Sequence, residues 1–215
     1  MSETILDNIN FVRESFLHFK SNDDMYMISI LQRKKDHPEA SANENERMLA
    51  NFYIKNIEYF DKKIDLLKEY CHNFKARCYI KPQVRSIKAV NRLLLRFLAM
   101  QIDNWDLNYS TLTREIISGY HDSRNKKVVL DLDDISQIDA FRIKNFVRGI
   151  VKQDRDGVLE KETDVYLLPT FNGYHIITPG FDPRGLQNFP LIKQKNINVK
   201  DIWKSDADTI VYAVK

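Results

Sequence analysis

Two short segments hold the residues best suited to chemistry. The first is Val128-Val129-Leu130-Asp131-Leu132-Asp133-Asp134. In a strand, alternate side chains share a face, so Asp131 and Asp133 point the same way, about 6–7 Å apart along the backbone. Two carboxylates at that spacing can share one or two Mg²⁺ or Mn²⁺ ions, which prefer oxygen ligands. A buried strand otherwise has little reason to hold two charges on one face, because unpaired burial is costly. The competing reading ends the strand earlier and makes the aspartates a turn ahead of Ser136. The second segment is Pro169-Thr170-Phe171-Asn172-Gly173-Tyr174-His175-Ile176-Ile177-Thr178. Gly173 and His175 fall on one strand face just after a tight turn at Asn172-Gly173. Glycine lets a phosphate approach the backbone closely, and an imidazole can donate a hydrogen bond to it. A lone strand histidine commonly has a structural role instead. His18, His37, His72 and His121 have no comparable context.

Charge is distributed unevenly around these segments. From Tyr70 to Ile102 there is no acidic residue, yet Lys75, Arg77, Lys81, Arg85, Lys88, Arg92 and Arg96 all occur there. Asp131 to Asp139 is the reverse, with four aspartates and no base. A basic surface beside an acidic pocket suits phosphates bridged by metal. Arg77, with Asn172, Gly173 and His175, is therefore a candidate for nucleotide binding. Ser86 reads as the N-cap of a helix to about Ile102. At about 100° per residue, Arg85, Lys88, Arg92 and Arg96 share one face, opposite Ile87, Val90, Leu94, Phe97 and Leu98. That stripe is either a solvated helix face or a surface for a nucleic-acid backbone.

The elements that position these residues follow from apolar spacing. Lys127 to Leu132 reads as a strand, and Ser136 with Asp139 resembles a capping box opening a helix to about Val151. Val165–Leu168 and Tyr174–Thr178 read as a hairpin, and Thr209–Val214 as a closing strand. Ala76–Ile80 reads as a strand, Met25–Leu31 as a short β-prone run, and 111–119 as a short helix. Ile5, Ile9, Val12, Phe16 and Phe19 have helical spacing, and a long helix is predicted over Glu46–Tyr70. The polar stretches Asp36–Asn45 and His121–Asn125 read as loops. Strand–helix alternation followed by a hairpin predicts an α/β or α+β fold, a mixed central sheet with flanking helices. The expected division is a mostly helical N-terminal extension over 1–73 and a catalytic core over 74–215.

Asp-x-Asp on one strand and small-x-His on a later hairpin together resemble the archaeo-eukaryotic primase superfamily, its primase–polymerases and the polymerase domain of bacterial end-joining ligases. The likeness covers roughly residues 76–215 and rests on the order of the motifs: hydrophobic strand, Asp131-x-Asp133, helix, then Gly173-Tyr174-His175 and an apolar strand. It implies metal-dependent nucleotidyl transfer, with nucleoside triphosphates, DNA or RNA, and replication proteins as partners. Asp131 and Asp133 would hold Mg²⁺ or Mn²⁺, and His175 would contact the phosphates of the incoming nucleotide. Family members use a third carboxylate on a later strand. The candidates here are Asp201, Asp206 and Asp208, of which Asp208 is grouped with Asp131 and Asp133 as the catalytic set. The chain is compact for the superfamily, as a phage or mobile-element version would be.

Two other readings stand beside this one. A primase-like fold without catalysis would serve as a nucleic-acid-binding accessory module. Val129-Leu130-Asp131-Leu132-Asp133 also looks like the nucleophile motif of haloacid-dehalogenase-type phosphatases, but Asp134-Ile135 follow where that family usually places a small residue and then Thr or Val. Composition narrows the class. The 215 residues are 43% hydrophobic and 29% charged, with net charge +3, enough for a packed interior. No run approaches the roughly 18–20 apolar residues of a membrane helix, and Met1-Ser2-Glu3-Thr4 does not begin a secretory signal. The expectation is a cytoplasmic protein, in a cell or virus-infected host, with no membrane partner. Cys71 and Cys78, without CxxC spacing, read as plain buried thiols.

Overall fold

The computed structural model describes residues 4–36, 46–101, 103, 108–119, 126–154, 165–204 and 207–214. In chain order, β1 (Ile5–Asp7) leads into α1 (Ile9–Phe11), which runs on as a π-helical turn over Val12–Phe16. Next come β2 (Asp24–Arg33), a 3₁₀ turn over Lys34–Asp36, β3 (Glu46–Ile54), α2 (Ile57–Asp61), α3 (Ile64–Asn73), β4 (Arg77–Ile80) and β5 (Arg85–Ser86). Then follow α4 (Ile87–Met100), α5 (Tyr109–Gly119), β6 (Lys127–Asp133) and α6 (Gln137–Asp154). The last third holds β7 (Tyr166–Pro169), β8 (Gly173–Pro179), α7 (Pro183–Gln187), α8 (Pro190–Gln194), α9 (Val199–Ile202), β9 (Trp203–Lys204) and β10 (Thr209–Val214).

The strands form two sheets. The first has the order β1-β10-β4-β2-β3, with β5 also on β2, and the second has the order β7-β8-β6-β9. Every pair among the described strands is antiparallel. The fold is therefore mixed α and β, as expected, but the single mixed central sheet is not found. Between β4 and β6 the chain leaves one sheet for the other, so its helices need not connect parallel neighbours.

The N-terminal third differs most from expectation. Glu46–Ile54 is a strand and not the start of a long helix. Its Met48, Leu49 and Ala50 are good helix formers, but β3 pairs with β2 from Tyr26↔Ile54 to Arg33↔Glu46. The long ladder outweighs local propensity. Ser29 Oγ adds a cross-strand bond to Asn51 Oδ1 at 2.8 Å. Helix begins only where Asn56 accepts the Tyr59 N–H at 2.7 Å, an N-cap of the usual chemistry. Over 5–19 only Ile9–Phe16 is helical, burying Ile9, Val12 and Phe16. Thus β1, β2 and β3 share a sheet with β4 and β10, and residues 1–73 are not a helical extension beside a separate core. Much of the expected loop at 36–45, and all of that at 121–125, lies outside the described residues.

Packing explains where the site falls. Val128, Leu130 and Leu132 of β6 are buried with Ala140, Ile143, Val147 and Val151 of α6. Val129, on the opposite face, joins the core shared with Ile28, Ile30, Cys78, Ile80 and Val211 of the first sheet. Asp131 and Asp133 continue the Val129 face beyond that core. α4 and α5 cover another side, burying Val90, Ile116 and Ile117 with Met25 and Met27 of β2. Both cysteines are buried and free. Burial pushes the Cys71 thiol up to about 12 and raises that of Cys78 as well, so both are poor nucleophiles.

Candidate active-site cleft

β6 runs through Asp133 before it ends at Asp134, whose φ of 57° turns the chain and whose N–H bonds Asn172 O at 2.8 Å. Asp131 and Asp133 are thus strand residues on one face, and both line a cleft of about 360 Å³. The β6–β8 register sets Asp131 opposite His175 and Asp133 opposite Gly173. His175 Nε2 lies 3.2 Å from Asp131 Oδ1, and Nδ1 lies 3.0 Å from Thr209 Oγ1. Asp208, beside Thr209, also lines the cleft, and Lys81 Nζ lies 3.0 Å from its Oδ1. The sequence therefore brings Asp131, Asp133, Asp208, His175 and Asn172 to one place. Asp201 is exposed on α9, and Asp206 lies outside the described residues.

Gly173 serves a different purpose from the one its type suggests. A Cβ built there would stand 1.9 Å from Leu132 O. The glycine is required by the close approach of β8 to β6, and no positive φ is involved. The β7–β8 loop is also longer than a two-residue Asn-Gly turn: the strands part at Pro169↔Tyr174, and Thr170 N–H bonds Gly173 O at 2.9 Å.

The opposite wall of the cleft belongs to the first sheet and is cationic and aromatic. Arg77 and Tyr79 alternate on β4, as Leu31 and Arg33 do on β2, so each pair shares a face, and all four line the cleft. Arg77 is only 5% exposed and binds Asp36 through two bonds of 2.7 Å. Burial alone would lower the pKa of this guanidinium, but the bonds to Asp36 and the neighbouring Tyr79 turn the net shift upward. Arg77 also lies over the Phe171 ring at 5.2 Å, and Arg33 over Tyr79 at 5.9 Å, both within cation–π range.

The basic stripe is shorter than the sequence suggests. Arg85 precedes α4, in β5, and is 1% exposed. Its Nε donates to Ile117 O and a terminal nitrogen to Gln83 O, so it braces α5 and cannot face nucleic acid. Helical phase cannot be extended past the Ser86 cap, and that is why Arg85 leaves the stripe. Lys88, Arg92 and Arg96 are exposed one turn apart, and none of them lines the cleft.

The donor set suits a hard cation held by few protein ligands. Among the described residues, no group of three or more His, Cys, Asp or Glu gathers as a metal cage. Mg²⁺ is commonly held by one or two carboxylates with substrate phosphates and water, and Asp131 with Asp133 meets that requirement. Sequence reasoning passed over Arg33, Tyr79, Phe171 and Thr209. The alternation Arg77-x-Tyr79 was legible in a strand, but Thr209 carried no signal before β10 was placed beside β8. No helix among the described residues is long and apolar enough to cross a membrane. No protein-family model, curated protein or solved structure matches this chain.

Proposed function

We propose that the protein is a metal-dependent nucleotidyltransferase of the primase–polymerase type, extending or initiating a nucleic-acid strand. The observation that carries this reading is the cleft's polarity: Asp131, Asp133 and Asp208 line it, and Arg33 and Arg77 stand on the sheet across from the acidic strand. A triphosphate bridged to a divalent cation has the complementary pattern. A bound Mg²⁺ or Mn²⁺ would neutralise phosphate charge and favour the hydroxyl's ionised form. Asp131 and Asp133 are the residues that would hold it. Arg33 and Arg77 would take phosphate oxygens, Arg77 sharing its guanidinium with Asp36. Phe171 offers an aromatic face on which a base can stack. The exposed Lys88–Arg92–Arg96 stripe is a surface for the phosphates of the nucleic-acid strand.

Primer extension and de novo synthesis with Mg²⁺ or Mn²⁺ test the proposal. Product is expected from the wild type, with at least a 100-fold loss, roughly, in Asp131→Asn and in Asp133→Asn, the worth of several kcal/mol of charge stabilisation. Full activity in either variant, or no product and no metal-dependent nucleotide binding in the wild type, defeats it. One observation favours a non-catalytic nucleic-acid-binding role: Lys81 already neutralises Asp208. In that case the wild type binds nucleic acid but shows no Mn²⁺ uptake.

A further inference from the structure

One buried contact in the cleft plays no part in that chemistry. His175 is 9% exposed and Thr209 is fully buried. The ring of His175 lies between Asp131, on the neighbouring strand of its own sheet, and Thr209, the first residue of β10 in the other sheet. The two contacts, 3.2 Å to Asp131 Oδ1 and 3.0 Å to Thr209 Oγ1, engage both ring nitrogens. A carboxylate only accepts hydrogen bonds, whereas a hydroxyl can donate or accept. A bare Nε2 lone pair turned toward the Asp131 carboxylate would be repelled, so Nε2 carries a proton. The neutral ring then accepts at Nδ1 from the Thr209 hydroxyl, and the cationic ring donates to the same oxygen. In either state Nε2–H points at Asp131, and the arrangement does not depend on titration.

We infer that Thr209 and His175 form a positioning relay. The buried hydroxyl fixes the imidazole, and the imidazole fixes the rotation of the carboxylate that would hold the cation. His175 thereby acts on Asp131 instead of on the nucleotide's phosphates. Such outer partners hold a ligating group in place for the ion and contribute to its affinity. The inference rests on the reading of Asp131 as a cation-holding carboxylate.

Two measurements on the full chain test it without any turnover. In the first, ¹⁵N NMR of histidine-labelled protein should show His175 with its proton on Nε2. Thr209→Val should mix the tautomers, and Thr209→Ser should restore the wild-type pattern. In the second, Mn²⁺ binding is followed by electron paramagnetic resonance without nucleotide. Thr209→Val and His175→Ala should weaken binding about 10-fold or more, with Thr209→Ser close to wild type. A proton on Nδ1 overturns the relay. So does wild-type Mn²⁺ affinity in Thr209→Val, or a His175→Ala defect that appears only once nucleotide is added. If Thr209→Val does not fold, Thr209→Ser and His175→Ala carry the comparison. A wild type that takes up no Mn²⁺ overturns the cation reading of the cleft and the relay with it. Wild-type uptake that is indifferent to Thr209 overturns the relay alone.

Discussion

At Gly173 the chain leaves no room for a side chain, because the nearest atom to a new Cβ is the carbonyl oxygen of Leu132, in the strand that carries the aspartates. Backbone cannot yield as a flexible side chain does. Gly173→Ala should therefore cost about 1–3 kcal/mol or more, as overpacking does, read as a lower urea midpoint. It should also shift the amide resonances of Asp131 and Asp133, which a remote destabilising change would leave alone. The Arg77–Asp36 pair invites a second test. Its side chains are 6% and 10% exposed, so removing one partner strands a buried charge. Asp36→Ala should cost about 3–5 kcal/mol, while the double change Asp36→Ala with Arg77→Met should recover much of that loss. Equal losses in the single and double variants would show that the pair contributes nothing beyond packing.

Among the elements, α4 separates the legible from the hidden. Its cap was readable: Ser86 Oγ accepts the Ala89 N–H at 3.0 Å. Its basic face was readable as well, except at Arg85, where a strand preceding the cap turns the side chain inward. Replacing Lys88, Arg92 and Arg96 with Gln should weaken single-strand or primer–template binding. The log–log salt slope should fall by about 0.7–0.9 for each residue that touches a phosphate. Circular dichroism should stay native, since all three are exposed. Wild-type binding across a salt series would reduce the stripe to a solvated face. The same contrast explains the rest of the fold. β6 was plain from Val128, Val129 and Leu130, apolar and β-branched before the first aspartate. β3 was hidden, because Met48-Leu49-Ala50 favours helix and only the partner strand overrules it. The convergence of Asp131, Asp133 and His175 followed from strand parity, whereas the cationic wall came from a second sheet that local pattern cannot register.

For the whole molecule, exposed carboxylates set the response to acid. Asp23, bonded by the Ser86 hydroxyl and the Lys88 N–H, is held below the ordinary aspartate value of 3.8. Asp61 is lowered by Arg13, Asp139 by Ser136 and Lys195, and Asp182 by Arg184. A carboxyl whose folded value lies below its unfolded value stabilises the fold above the unfolded value. That stabilisation is lost as pH falls through the folded one. The urea midpoint should thus be flat above about pH 5 and decline on further acidification. Asp23→Asn should flatten part of the decline without changing the neutral plateau by much, because exposed pairs are well screened. A midpoint that rises on acidification would contradict the assignment.

The place of β10 between β1 and β4 has a consequence for how the molecule comes into being. All four strands of the second sheet are synthesised after β4 and before the neighbour that β4 needs. The second sheet and α6 can assemble from nearby segments, while the first waits for a distant one, an order that contact separation favours. Until β10 arrives, β4 lacks one neighbour, and β1 lacks its only partner among the described strands. Asp208 and Thr209 come with that strand. A growing chain therefore displays Asp131 and Asp133 before it has the hydroxyl that steadies His175 or the sheet that faces them. Competence and completion coincide, and a partly made chain cannot perform the reaction early.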